Sequence, residues 1–224
     1  LVDESTQLEG ILSNIGDKAA VEHIMKLLDD PYIDVQEAAV KALVAFRDRL
    51  DASLLKKDLE GKSPVLKKNV ILLLGRVEAE GAVPAIGFCL KDEDVLVRRA
   101  VVSSLSFFKS EESIRYLTTA LTDEDPDIRS SAALSLGASG SSIEPLSLLL
   151  SDTDDMVRVS VAKALGMIGD EGAIPDLVGL LRDRNGFVIT SAMESLAKLG
   201  GDTSKLAIAG MLGSEDREIR ITAI

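Results

Sequence analysis

The chain has 224 residues, 25 Lys and Arg against 37 Asp and Glu, and a formal net charge of −12; 46% of its residues are hydrophobic and only 3% aromatic. That apolar fraction excludes a disordered chain, and the acid excess argues against a general phosphate-backbone binder, which needs a cationic face. One Cys and one His exclude a disulfide framework and most zinc sites, and no apolar run approaches the ~18 residues of a membrane span.

The chain opens on Leu1 rather than Met and shows no basic segment followed by an apolar one. No secretory signal is therefore visible, and a cytoplasmic location is expected. Residues 1–17 read as a partial first repeat, with Leu8 and Leu12 following Glu4 at helical spacing. Repeats follow near 18–48, 49–79, 80–109, 110–140, 141–169 and 170–200, with a truncated one at 201–224. They are anchored by Val35, Leu66, Val97, Ile128, Val157, Val188 and Ile219, at steps of 31, 31, 31, 29, 31 and 31 residues. The short step falls at Gly140-Ser141-Ser142. The last segment, Arg217 to Ile224, reads as a helix broken off midway, as in a piece of a longer protein.

Three aliphatic columns run through the repeats. Seven residues before the anchor stand Leu28, Leu59, Leu90, Leu121, Leu150, Leu181 and Leu212. Eleven before it stand Ile24, Leu55, Ile86, Leu117, Leu146, Leu177 and Ile208. Eight after it stand Leu43, Leu74, Leu105, Leu136, Leu165 and Leu196. Within one repeat the spacing predicts two helices. Ile174, Leu177 and Leu181 share one helical face; Val157, Val161, Ala164, Leu165 and Ile168 share another. Acidic turns such as Asp92-Glu93-Asp94, Asp123 to Asp127 and Asp152 to Asp155 precede the second helix, where carboxylates cap free N–H groups. Gly166 to Asp170 reads as the stop of a second helix, and Pro84 and Pro175 as lying near the starts of first helices. A two-helix repeat cannot bury its own apolar faces, so the expected fold is all-α: an α-solenoid of about seven two-helix repeats of ~31 residues.

The stretch Gly172-Ala173-Ile174-Pro175-Asp176-Leu177, Leu180-Leu181 and Asp183, with Val157-Arg158 and Ala162 to Asp170 before it, resembles HEAT repeats. More narrowly it is similar to the short, regular subtype named after phycobilisome lyases. The resemblance implies an armadillo/HEAT-type right-handed superhelix. It also implies an internal ladder of Asp and Arg with a structural, non-catalytic role: Asp92 with Arg98, Asp123 with Arg129, and Asp152 with Arg158. Asp30 with Gln36, Gly61 with Lys67, Asp183 with Ile189 and Ser214 with Arg220 depart from it and are expected to mark softer joints. The metal-enzyme branch of the family uses paired His-Glu motifs, which a single His excludes; a DNA-repair branch uses basic, aromatic surfaces, against which the charge and the absence of Trp argue.

Chemistry elsewhere is sparse. Asp123 to Asp127 lacks the Gly and the bidentate Glu of an EF-hand loop and reads as helix caps. Cys89 falls in an apolar column and reads as a packed thiol; His23 reads as an outer-face residue. No catalytic residue, cofactor or metal site is expected. The outward face of the second helices is expected to line the concave side as a partner-binding ridge: Lys41, Lys68, Leu72, Arg76, Leu96, Arg99, Phe107, Leu134, Met156, Lys163, Phe187 and Lys198. Glu37, Val159, Met167 and Glu194 lie on the same side. For Phe107, Met167 and Phe187 the alternative is packing between repeats. The expected function is a non-enzymatic scaffold for an acidic or amphipathic protein segment, with no nucleic-acid or membrane partner. The alternatives are a bilin lyase subunit and a regulatory module of a larger signalling protein.

Overall fold

The computed structural model describes residues 17–50, 52–61 and 63–224. The proposed partial repeat at 1–17 lies almost wholly outside them. The chain forms two compact units, Leu1–Ser113 and Ile114–Ile224. Among the described residues there are fourteen α-helices and no strand.

The first unit contains α1 (Asp17–Lys26), α2 (Ile33–Ala45), α3 (Ala52–Asp58), α4 (Pro64–Arg76), α5 (Val83–Phe88) and α6 (Val95–Leu105). The boundary falls within α7 (Glu111–Ala120). The second unit continues with α8 (Pro126–Ser139), α9 (Glu144–Ser147), α10 (Asp155–Ile168), α11 (Ile174–Leu180), α12 (Gly186–Leu199), α13 (Gly201–Gly210) and α14 (Arg217–Thr222). First and second helices alternate, so the all-α solenoid pattern holds within each unit. Second helices lie against second helices: α2 on α4 and α4 on α6 in one unit, and α8, α10 and α12 in the other.

The column eight residues after the anchor is sealed: Leu43, Leu74, Leu105, Leu136, Leu165 and Leu196 are all 0% exposed. The other two columns supply the first-helix side of the core, with Leu55, Ile86, Leu117, Leu146 and Leu177 buried. Four members depart: Leu90, Leu150 and Ile208 are half-buried, with Leu149 facing the core in place of Leu150, and Leu212 is exposed. Leu150 belongs to the short repeat, where α9 has only four residues. Gly140, in the left-handed region at φ 66°, turns the chain there while Ser141 N–H returns to the Leu136 carbonyl at 3.3 Å.

The segment Gly166 to Asp170 does end α10, through Gly169 and not through Gly166. Gly166 lies inside α10, and a Cβ on it would stand 2.6 Å from Ser195 Cβ of α12. Gly137 is as close to Ala164, and Gly75 to Ser104. Each glycine lets two second helices approach until their backbones nearly touch. Ser104 Oγ then donates to the Ile71 carbonyl, and Ser195 Oγ to the Ala162 carbonyl, both at 2.8 Å. The stop of α10 is Gly169, at φ 77°.

Candidate partner-binding face

The acidic turns position the first turn of each second helix. Asp94 Oδ1 accepts from Leu96 N–H at 2.8 Å, Asp125 Oδ1 from Asp127 N–H at 2.9 Å, and Asp154 Oδ1 from Met156 N–H at 2.8 Å. The first Asp of each turn accepts in turn from the capping residue: Asp92 from Asp94, Asp123 from Asp125 and Asp152 from Asp154, at 2.9–3.0 Å. This use accounts for the carboxylates at Asp123 and Asp125 as caps. Among the described residues no group of three His, Cys, Asp or Glu is placed to hold a metal ion.

Because one oxygen of each first Asp faces its own turn, the other is turned toward the neighbouring repeat. The ladder is consequently shifted by one repeat from the same-repeat pairs of the sequence reading. Arg98 Nη1 donates to the backbone carbonyls of Asp92 and Glu93, at 3.0 and 3.3 Å. The Asp92 carboxylate takes Lys67 Nζ of the preceding repeat at 2.7 Å. Arg129 holds the Asp123 carbonyl at 2.8 Å and forks onto Asp152 of the next repeat, with Nε and Nη2 both at 2.8 Å. Arg158 holds the Asp152 carbonyl at 2.7 Å and forks onto Asp183 at 2.7 and 2.9 Å, with a further bond to Asp155. Guanidinium suits this role because its donors reach carbonyls and a carboxylate at once.

The charges respond. The Asp183 carboxyl is held below its ordinary value, chiefly by the Arg158 guanidinium. Burial pushes Asp92 and Asp152 upward, but hydrogen bonds from Lys67 and Arg129 and from backbone N–H groups outweigh it and hold both low.

The irregular joints are not uniformly soft. Gln36 reproduces half of the arginine's work, with Nε2 on the Asp30 carbonyl at 2.6 Å. Its Oε1 accepts from Asn69 Nδ2 at 3.0 Å, and the same Nδ2 reaches the Leu28 carbonyl at 2.7 Å. The buried Asn69 went unread in the sequence, although it stands among Ala38, Ala100, Ser131 and Ser160 in an otherwise small-residue column. Ile189, in the arginine position, is buried and offers no donor.

Most of the expected ridge is at the surface. Lys41, Arg76, Arg99, Lys163 and Lys198 are exposed. Leu96 is 53% exposed, Phe107 50%, Met156 60% and Phe187 75%, and Met167 is exposed beside them. Three positions differ. Lys68 is half-buried and donates to Gln36 Oε1 at 3.2 Å; Leu72 is half-buried; Leu134 is only marginally exposed. Val159, read as outward, is buried. Its column sits at the rim of the seam between helices, where the long Arg99 and Glu37 reach solvent and a short apolar chain sinks inward. Large apolar side chains on first helices, Phe88, Leu148 and Leu206, are also exposed and carried no periodic signal. Phe88 has Lys91 Nζ 5.7 Å from its ring centroid.

The remaining candidates are quiet. Cys89 is buried, its Sγ 3.5 Å from the Ala85 carbonyl, and burial followed by the Asp92 charge pushes the thiol up, away from nucleophilic use. His23 is exposed on α1. No helix among the described residues is long and apolar enough to cross a membrane.

No curated protein matches this chain. Among solved structures it is similar to YibA of Escherichia coli, at 21% identity and a TM-score of 0.58, covering 82% of this chain and 72% of that one. It is similar to the complex of CpcE and CpcF of phycocyanin lyase from Nostoc sp. PCC7120, at 19% identity and a TM-score of 0.52, covering 91% and 85%. A designed armadillo repeat protein in complex with the peptide (KR)4 aligns at 18% identity and a TM-score of 0.51, covering 91% and 96%. These likenesses concern the fold. Residues 10–30 match a PBS lyase HEAT-like repeat. Residues 52–137, 117–197 and 143–224 match HEAT repeats, and with the columns and the stacked second helices on the page, the chain belongs to the HEAT-repeat family.

Proposed function

We propose that the chain is a non-enzymatic scaffold that holds a protein partner on the exposed face of its second helices. The observation that carries this reading is that each compact unit leaves large apolar side chains in solvent at one register of its own second helices. Leu96, Met156 and Phe187 each directly precede the anchor; eleven residues on, Phe107 lies in the turn just past α6 and Met167 in the last turn of α10. Lone exposed apolar residues are ordinary; a repeated row beside charged residues is what an interaction face needs. In the first compact unit the row is accompanied by Lys41, Lys68, Arg76 and Arg99 against Glu37, a balance that suits an acidic or amphipathic segment there. The designed armadillo protein with its bound peptide is a precedent for peptide capture on such a fold.

The test is a pull-down in which wild type is compared with a chain carrying Leu96→Ser, Phe107→Ser, Met156→Ser and Met167→Ser. Proteins held through this face are retained by wild type and lost by the variant, with the far-ultraviolet circular dichroism of the two alike. Retention of the same proteins by both overturns the reading. A second reading, a bilin lyase subunit, is favoured by the match of residues 10–30 to the PBS lyase repeat. A shift in bilin absorbance on mixing the chain with pigment and acceptor protein would support it.

A further inference from the structure

The joint between α12 and α14 differs from its neighbour in the side chains that span it. At the α10–α12 joint several side chains cross the gap, Arg184 and Ser195 among them. Arg158 forks onto Asp183, and Asp155 Oδ2 accepts from Asn185 Nδ2 at 2.7 Å. One repeat later the positions of Asp155 and Arg158 are Gly186 and Ile189. Among the described residues no side-chain hydrogen bond or ion pair joins α12 to α14, and a groove of about 600 Å³ opens between them. Phe187, three-quarters exposed, stands on its wall.

The groove is anionic, in contrast to the basic face of the first unit. Glu194, Asp216 and Glu218 line it against Arg184. Arg184 faces Asp155, 3.8 Å away, and Glu218 has Arg217 at 2.8 Å. Asp216 spends Oδ1 on the N–H groups of Glu218 and Ile219, while its Oδ2 points across to α12, 3.8 Å from where a Cβ on Gly186 would stand. The Glu194 side chain makes no hydrogen bond or ion pair among the described residues, and Asp216 Oδ2 accepts none. One repeat earlier the joint is closed by the Arg158 guanidinium on Asp183; here those two positions are Ile189 and Ser214, and the groove's open carboxylates, Asp216 and Glu194, come from other positions of the repeat.

We propose that this groove docks an arginine-bearing amphipathic segment of a partner protein, its guanidinium groups taken one by Asp216 and one by Glu194 and a neighbouring apolar side chain packed on Phe187. The proposal rests on the second-helix face being the docking face, and adds the chemistry of what one part of it accepts. Arginine rather than lysine fits, because a planar fork satisfies carboxylates and also stacks on an aromatic ring.

The test is fluorescence anisotropy with a labelled decapeptide of alternating arginine and leucine, beside one with glutamate in place of arginine, at about 150 mM salt to screen the diffuse charge of the chain. The arginine peptide is expected to bind at least about tenfold tighter than the glutamate peptide. Asp216→Asn with Glu194→Gln should weaken it about tenfold, and Phe187→Ala about fivefold. Asn caps helices as well as Asp, so α14 keeps its start, and Glu194→Gln alone provides a variant that leaves the cap untouched. Glu144→Gln with Glu171→Gln, an exposed pair elsewhere in the same unit, should change binding less than about twofold. Equal loss from this control pair, or no loss from the groove pair, overturns the proposal. If the groove variants are silent while the four-serine variant still loses its partners, the docking face stands and the arginine groove falls.

Discussion

Glu78 is the one non-glycine residue with positive φ among the described residues, at 52°. It ends α4 in the position that Gly140 and Gly169 hold in later repeats, and Ala79 N–H returns to the Leu74 carbonyl at 3.0 Å as Ser141 N–H does to Leu136. A Cβ in this region costs about 1 kcal/mol, which glycine avoids. Glu78→Gly should therefore raise stability by about 0.5–1 kcal/mol, read as a higher urea midpoint, while Glu78→Ala should give no such gain. A lower midpoint for the glycine variant would mean that the Glu78 side chain, rather than its backbone, is what the turn uses. In the sequence Gly140 was read as the short connection and Gly169 as part of a helix stop. Gly166 was misread beside it, because what it does depends on Ser195, 29 residues away and brought near only by the stacking of helices.

Helix against helix, the ladder decides how repeats are joined. Arg129 and Asp152 are nearly buried, with side-chain exposures of 13% and 8%, and each holds hydrogen bonds besides the pair. Removing one partner leaves a charge in a poorly hydrated place. Arg129→Ala should cost on the order of 2 kcal/mol, between the values for exposed and buried pairs, as seen in the midpoint of thermal unfolding. Arg184→Ala, whose side chain is 76% exposed, should cost less than about 0.5 kcal/mol. Similar losses from the two would show that the fork carries no special weight. The residue types of the ladder were legible from the family resemblance, but the pairing was not. Spacing along one repeat puts Asp152 near Arg158, whereas the orientation of its carboxylate, set by the Asp154 N–H, hands it to Arg129.

At the scale of the whole molecule the ladder makes stability depend on pH. Asp92, Asp152 and Asp183 are held below the ordinary carboxyl value of 3.8, so in acid the unfolded chain binds more protons than the folded one. Their stabilisation is complete above the unfolded value and is lost as pH falls through the folded values. Asp58, which burial pushes upward, works in the opposite sense. The thermal midpoint is expected to vary little between about pH 7 and 5 and to fall steeply below about pH 4. Asp183→Asn should flatten part of that fall, and an acid limb unchanged by it would locate the dependence elsewhere.

What the sequence by itself determined was the repeat and its buried columns. An α-helix converts spacing directly into a face, so Leu43, Leu74, Leu105, Leu136, Leu165 and Leu196 could be placed in the core from their register alone, and each is sealed from solvent. The expected outward face of the second helices followed from the same geometry, except that Lys68 and Leu72 are half-buried and Val159 is buried. What only the tertiary structure decided were the relations between repeats: the ladder shifted by one step, the glycine against the serine, the buried Val159, and the groove left where Gly186 and Ile189 replace Asp and Arg. These depend on distances and side-chain directions across a joint, and a periodic pattern repeats along the chain without saying which neighbour each side chain turns to meet.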